Sequence, residues 1–335
     1  MTAIGGETAR AMVRAAHARI LARREEINAL NVFPVPDADT GTNLTMTLEA
    51  AARAADGDAA GEDDGGQVLM RISRATILGA RGNSGVIFSQ YLRGLARRLA
   101  TTAGDEPGEA MAAALEAAAD GAYGAVDEPV EGTILTVARR AAVAARAVAP
   151  ASNPAAVLRA AAAEAGRAVE DTTEQLAELR AANVVDSAGL GLFHILEAMA
   201  EVAEGHLGRP EGEEAPATVA VGAPDGLDAA VYGYEVQFVL EGKALDAAGL
   251  RASLHRLGES LVVAGDDLLL KVHIHTPDPE AVLLAARHFG QPEAVTIENL
   301  DAQTHALKAH PGETVPTGPS AARAEAQATD GGDRR

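Results

Sequence analysis

Cysteine is absent from all 335 residues, so disulfides, thiolate catalysis and cysteine-ligated zinc are excluded. Tryptophan is absent too, and five Phe with four Tyr supply no aromatic frame for a long apolar ligand channel. Basic residues are outnumbered, 28 Lys and Arg against 48 Asp and Glu, and the formal charge of −20 argues against a broad basic face for nucleic acid or anionic membrane. No apolar run approaches the roughly 20 residues of a membrane span, and the N-terminus lacks the unbroken apolar core of a signal peptide. The expectation is a cytoplasmic protein with no integral membrane segment and no nucleic-acid partner. Its length exceeds a usual single domain, which suggests two domains and a tail.

Hydrophobic periodicity divides the chain. Residues 1–207 read as helical throughout: Met12, Val13, Ala16, Ile20, Ala29 and Leu30 open the pattern, and runs follow near 44–54, 67–79, 84–100, 108–123, 133–148, 154–179 and 188–205. Asn153-Pro154 is a helix start of the N-cap-then-proline kind. Alanine dominates several runs and permits close helix approach, leaving the core to scattered Leu, Ile, Val and Met. Residues 208–218, with two prolines and three acids, are expected to be a solvated linker. The period then changes to alternation. Residues 219–309 read as β-α-β-β-α-β, a ferredoxin-like α+β unit, and residues 310–335 as a disordered tail.

The densest chemistry lies at residues 31–43, Asn-Val-Phe-Pro-Val-Pro-Asp-Ala-Asp-Thr-Gly-Thr-Asn. Asp37 and Asp39 are alternate residues after two prolines, so an extended backbone directs both carboxylates to one side, where Mg²⁺ accepts one or two such ligands and keeps phosphate oxygens as others. Thr40, Thr42 and Asn43 open the next helix, whose N–H groups suit anionic oxygens. Simple capping competes as an explanation, but it requires one side chain and leaves the second aspartate unexplained. Residues 78–90 interrupt two helical patterns with three glycines, Asn83 and Ser84, a composition for close approach to an anion. It is no Walker A sequence, since Gly-Lys-Ser/Thr is missing. In the second unit, His273 and His275 point to one face of a strand, about 7 Å apart. The first and third strands of a split unit are usually neighbours, so Glu235 completes a His₂Glu set for zinc; two plain sheet-face histidines are the competing account.

Residues 30–43, 79–85 (Gly-Ala-Arg-Gly-Asn-Ser-Gly), 131–136 (Glu-Gly-Thr-Ile-Leu-Thr) and 185–189 (Val-Asp-Ser-Ala-Gly) together resemble the nucleotide-binding domain of the dihydroxyacetone kinase family. Within it they are most similar to the ATP-binding subunit of bacterial fatty-acid kinase. Residues 232–234, 258–263 and 271–276 resemble that subunit's middle domain, which carries a cysteine where this chain has Glu235. The resemblance implies a closed barrel of about eight helices with ATP bound at one end. It implies two Mg²⁺ ions held by Asp37 and Asp39, with Asn31 as a further ligand. Thr40, Gly41, Thr42, Asn43, Gly82, Asn83, Ser84, Gly85, Thr133 and Asp186 are implied to contact the nucleotide, Thr133 and Asp186 competing with N-capping roles; Arg81 has two readings, phosphate or a surface acid. No residue declares itself a general base. The implied activity is that of a homodimeric kinase subunit, which phosphorylates a fatty acid presented by a separate acyl-binding protein. The alternatives are a dihydroxyacetone-type ketone kinase and a nucleotide-binding regulatory module without turnover.

Overall fold

The computed structural model describes residues 4–57, 64–101, 105–206 and 232–309. The expected linker and the expected tail lie outside the described residues, as do residues 219–231 of the second unit. The first unit is built from α1 (Gly6–Ala22), α2 (Arg24–Ala29), α3 (Thr40–Gly57), α4 (Gly65–Gly79), α5 (Gly82–Leu99), α6 (Pro107–Ala125), α7 (Ile134–Val148), α8 (Pro154–Gln175), α9 (Ala177–Ala182) and α10 (Ser187–Ala203). Its eight long helices close a ring: α1 packs on α3, each of α3 to α8 on the next, α8 on α10, and α10 back on α1. The bulk inside comes from Met12, Ile20, Leu44, Leu48, Leu69, Ile72, Leu95, Met111 and Leu115, all fully buried. On the α7–α8 side the buried stripes are alanine, Ala138, Ala141 and Ala145 facing Ala161, Ala165 and Ala168, and small side chains bring these backbones close. This is the expected closed barrel.

Two expected helices are broken. The 154–179 run stops at Leu176, whose backbone is extended (φ −112°, ψ 130°), and α9 then ends on left-handed Asn183. The opening pattern breaks at Arg23 (φ −103°, ψ 8°). Periodicity reads through a one-residue break because the side chains on both sides still face the core.

The second unit runs β1 (Tyr234–Glu241), α11 (Ala247–Leu254), β2 (Glu259–Gly265), β3 (Leu269–Thr276), α12 (Pro279–Ala286), β4 (Pro292–Asn299) and α13 (Leu300–Ala309). Its antiparallel sheet has the order β2-β3-β1-β4, so the first and third strands are neighbours, as expected. Val236, Phe238, Leu240, Val263, Val272 and Ile274 pack on Leu250, Leu254 and Val282 of the helices. Helix α13 was not anticipated; its Asp301 carboxylate accepts the backbone N–H groups of Tyr232 and Gly233 (2.8 and 3.2 Å), tying it to the start of β1.

The other sheet face is not solvated. Val262 and Ala264 join the barrel core, and Val239 and Leu269 pack on Ile77. At the seam Val126 bridges to Val262, and the Asp127 N–H donates to the Leu261 carbonyl at 3.1 Å. Arg93 donates to Gly265 O (2.5 Å) and the Asp266 carboxylate (2.9 Å), Arg251 donates to Gly124 O (3.0 Å), and His255 meets Asp127. With helices on one face and the barrel on the other, β3 is buried almost continuously, which explains its weak alternation in sequence.

Candidate functional site

One end of the barrel gathers the N-termini of α3, α5, α7 and α10, and the polar face of the sheet closes over them. The cleft is lined by Asn31, Asp37, Asp39, Thr40 and Asn43 from the α2–α3 loop and α3, by Asn83 and Ser84 from α5, by Thr133 before α7, by Asp186 before α10, and by Glu235, Ser260 and His275 from the sheet. Helix N-termini carry partial positive charge and free N–H groups, so their convergence makes an anion-binding floor. The motifs of the first unit and the Glu235/His cluster of the second, read as separate sites in sequence, share this one cleft.

The carboxylates meet by a route other than extended alternation. Ala38 is left-handed (φ 55°), and this turn brings Asp37 and Asp39 together. The Asn31 amide donates to Asp37 Oδ1 (2.9 Å) and Val35 O (2.6 Å), and its carbonyl accepts from the Thr40 hydroxyl. Asn31 therefore braces the loop rather than offering a free ligand oxygen. Burial, then Asp39 and Glu235, push Asp37 well above the usual carboxylate range; burial raises Asp39 to about 6. Burial, with Asp39 and Glu298 nearby, raises Glu235 to about 8. Carboxyl groups that resist ionisation are thus crowded where the two units meet, and a divalent cation would favour their ionised forms.

Other expected contacts divide. Asp186 caps α10 through Gly189 N–H (2.7 Å) and lines the cleft as well; burial raises it to about 7. Thr133 caps α7 and also lines the cleft. Thr42 is turned away, its N–H donating to Asn28 Oδ1 (3.0 Å) and its hydroxyl accepting from Asn28. Gly41, Gly82 and Gly85 permit close packing rather than lining the cleft: a Cβ would lie 2.2 Å from Arg24 O, Asn43 Nδ2 and Thr47 Oγ1 respectively, and Gly82 is left-handed (φ 57°). Sequence reasoning passed over the apolar wall of Ile87, Val126, Val130, Ile134 and Leu135, and also Ser260. Their proximity arises from the seam, and only the neighbouring residues 131–136 hinted at it.

Glu235, His273 and His275 offer ligand atoms that all lie within 4.8 Å of one another. Glu235 Oε2 is 3.8 Å from His273 Nδ1 and 3.9 Å from His275 Nε2, and the two Nε2 atoms are 3.1 Å apart. His273 is fully buried and its Nδ1 has no hydrogen-bond partner. Burial holds His273 well below the usual imidazole range, and burial lowers His275 to about 4, so both rings are neutral donors at neutral pH. On the same strand, burial and the nearby Arg81 lower Lys271 to about 8, with Glu235 opposing.

Comparison with known proteins places these elements. A family model described as the DAK2 domain matches residues 34–201, half of the chain, and one described as the middle domain of FakA-like fatty acid kinase proteins matches residues 231–307. Protein YloV of Bacillus subtilis (strain 168) is 35% identical over 320 residues, covering 90% of this chain and 56% of its own length. An uncharacterized protein of Staphylococcus haemolyticus is 33% identical over 288 residues, with 83% and 52% covered. The chain spans about half the length of the curated relatives it matches. Among solved structures, the dihydroxyacetone kinase from C. freundii in complex with AMP-PNP and Mg²⁺ is similar with a TM-score of 0.45 and 21% identity, over 58% of this chain and 33% of that one.

Proposed function

The chain belongs to the DAK2-domain family, and from that premise we propose that it is an ATP-binding phosphotransferase subunit that phosphorylates a fatty acid presented by a separate acyl-binding protein. The observation that carries this reading is the meeting of Asp37 and Asp39 with four helix N-termini under the sheet face. Asp37 and Asp39 are the residues that would hold Mg²⁺, and the metal would neutralise phosphate charge. Asn31 and Thr40 hold the loop in place, and Asn43, Asn83, Ser84 and Thr133 offer polar groups to phosphate oxygens. The apolar wall formed by Ile87, Val130 and Leu135 suits a nucleobase. Phosphoryl transfer rests mostly on positioning and charge neutralisation, so the lack of an evident general base is no obstacle. The sheet face supplies water exclusion.

On this reading the acyl chain is held by the partner and not by this cleft. Its apolar wall is short, and the large apolar residues are committed to the two cores, so a free long-chain acid has no evident pocket among the described residues. A partner must then present the acyl carboxylate. ADP release is to be measured with the isolated chain, with fatty acid, with dihydroxyacetone, and with fatty acid plus candidate acyl-binding proteins. Turnover is expected only in the last. Rapid turnover on dihydroxyacetone contradicts the fatty-acid assignment, and silence in all four despite tight Mg-ATP binding favours a regulatory module.

Glu235, His273 and His275 fit a zinc-type ion, since two neutral imidazoles and a carboxylate converge beside an orphaned nitrogen. They would hold it at the sheet side of the cleft, where it would supply a Lewis acid. Because Glu235 is raised to about 8, zinc binding at pH 7 is expected to displace its proton. Titration calorimetry in buffers of different ionisation enthalpy measures that release; no zinc binding at all sinks the assignment.

A further inference from the structure

The sheet side of the cleft carries three polar groups, Glu235, Ser260 and His275, and two of them are engaged. Glu235 accepts from the Gln237 amide, and His275 meets His273 through their Nε2 atoms. Ser260 lines the cleft half-buried, and its hydroxyl has no hydrogen-bond partner among the described residues. Its position is built by a break in the ladder. Glu259 pairs with His275 and Val262 with His273, so Ser260 and Leu261 together stand opposite Ile274 in a β-bulge. Alternation continued from Glu259 would set Ser260 beside Ile274 on the helix-packed face. Instead Ser260 is left-handed (φ 52°), Leu261 takes the place in that core, and the serine turns to the cleft. A Cβ makes this conformation unfavourable, and it persists because both flanks are fixed. Leu257 O accepts from the Thr276 hydroxyl (2.6 Å), and Gly258 lies so close to β3 that a Cβ would meet His275 O at 2.0 Å. On the other flank, Leu261 O accepts the Asp127 N–H (3.1 Å). A free donor is thereby held on strained backbone where the sheet faces the helix N-termini.

In-line phosphoryl transfer puts the leaving and attacking oxygens on opposite sides of the phosphorus. With the nucleotide phosphates on the barrel floor, the attacking oxygen comes from the sheet side. We propose that Ser260 is a binding residue for the phosphoryl acceptor, its hydroxyl donating to one oxygen of a carboxylate and turning the other toward the terminal phosphorus. This rests on the phosphotransferase reading of the cleft. The second oxygen forms the new bond to phosphorus while the bond from phosphorus to the β–γ bridging oxygen breaks, its electron pair leaving with ADP. No proton is transferred, since the acceptor arrives as a carboxylate, and the product is an acyl phosphate.

The test runs this step in reverse with acetyl phosphate, whose short acyl group requires no apolar sheath and so no acyl-binding partner. ATP formation from Mg-ADP and acetyl phosphate is measured for wild type, Ser260→Ala and Ser260→Gly. Calorimetric titration of Mg-ADP, with and without beryllium fluoride, and thermal unfolding of each apo protein accompany it. Both variants are expected to lose about tenfold or more in kcat/KM for acetyl phosphate, the effect of one hydrogen bond to a charged group. Mg-ADP is expected to bind within about twofold of wild type under both conditions. Ser260→Gly is expected to melt no lower than wild type, because glycine adopts the left-handed conformation freely. A serine kept only for the backbone would leave Ser260→Gly fully active, and that result overturns the proposal. So does an unchanged kcat/KM in Ser260→Ala, or an affinity loss confined to the beryllium fluoride complex, which moves the contact to the phosphoryl group. Wild type that binds Mg-ADP yet forms no ATP from acetyl phosphate overturns the proposal and leaves the nucleotide reading intact. Wild type that binds no Mg-ADP removes both.

Discussion

Asp37→Asn and Asp39→Asn are each expected to weaken Mg-ATP binding by at least about 100-fold while leaving the apo fold intact, an effect as large as or larger than that of losing a metal site's outer-shell support. The two carboxylates sit on a loop held by Asn31 through Val35 and Thr40, so an isosteric amide preserves the hydrogen-bonded frame and removes only the charge. Mg²⁺ prefers charged carboxylate oxygen over neutral amide oxygen, and the helix N-termini alone do not replace it. If helix capping were the whole role of these residues, an Asn would serve nearly as well. Calorimetry on both variants decides: unchanged Mg-ATP affinity in each leaves only the capping role.

The apo protein is expected to lose stability as pH rises from about 5 to 9 and to recover it on adding Mg²⁺. Asp37, Asp39, Asp186 and Glu235 all have folded-state values raised chiefly by burial, to about 6 for Asp39, about 7 for Asp186 and about 8 for Glu235. For a carboxyl raised above its unfolded value, the stabilising contribution is complete below that unfolded value and disappears as pH rises through the folded one. Each ionisation in the cleft thus removes stability, of order 1–3 kcal/mol per group. Ion-paired acids such as Glu116 and Glu204, held low chiefly by side-chain hydrogen bonds from Arg146 and Arg159 respectively, act in the opposite sense and only at more acid pH, so the windows separate. Denaturant midpoints at pH 5, 7 and 9, with and without Mg²⁺, measure this. A flat profile, or a Mg²⁺ effect equal in wild type and Asp37→Asn, contradicts the crowded-carboxylate account.

Much of this architecture was legible because it is local. Apolar spacing of three and four residues marked the barrel helices; alternation marked β1, and short apolar runs set off by turn residues marked β2 to β4 in the right order. The neighbouring of β1 and β3, and with it the meeting of Glu235 with His275, followed from the split topology. What escaped was set by distant packing or by single backbone angles. Nothing in residues 37–39 announces that an alanine adopts a left-handed conformation. Thr42 reads like a phosphate ligand until Asn28 is seen to engage it. The merging of two apparent sites depends on the seam at Val126, Arg93 and Arg251, whose partners lie more than a hundred residues away in sequence.

The single cleft between barrel end and sheet face is tested most directly by a crystal structure with Mn²⁺ and a non-hydrolysable ATP analogue, using the anomalous signal to place the metal. The expected map shows Mn²⁺ bound directly to carboxylate oxygens of Asp37 and Asp39, at roughly 2.1–2.3 Å. The phosphates should lie on the N-termini of α3 and α5, beneath the face that carries Glu235 and His275. A metal that touches neither aspartate, or a nucleotide bound away from the seam, would contradict it.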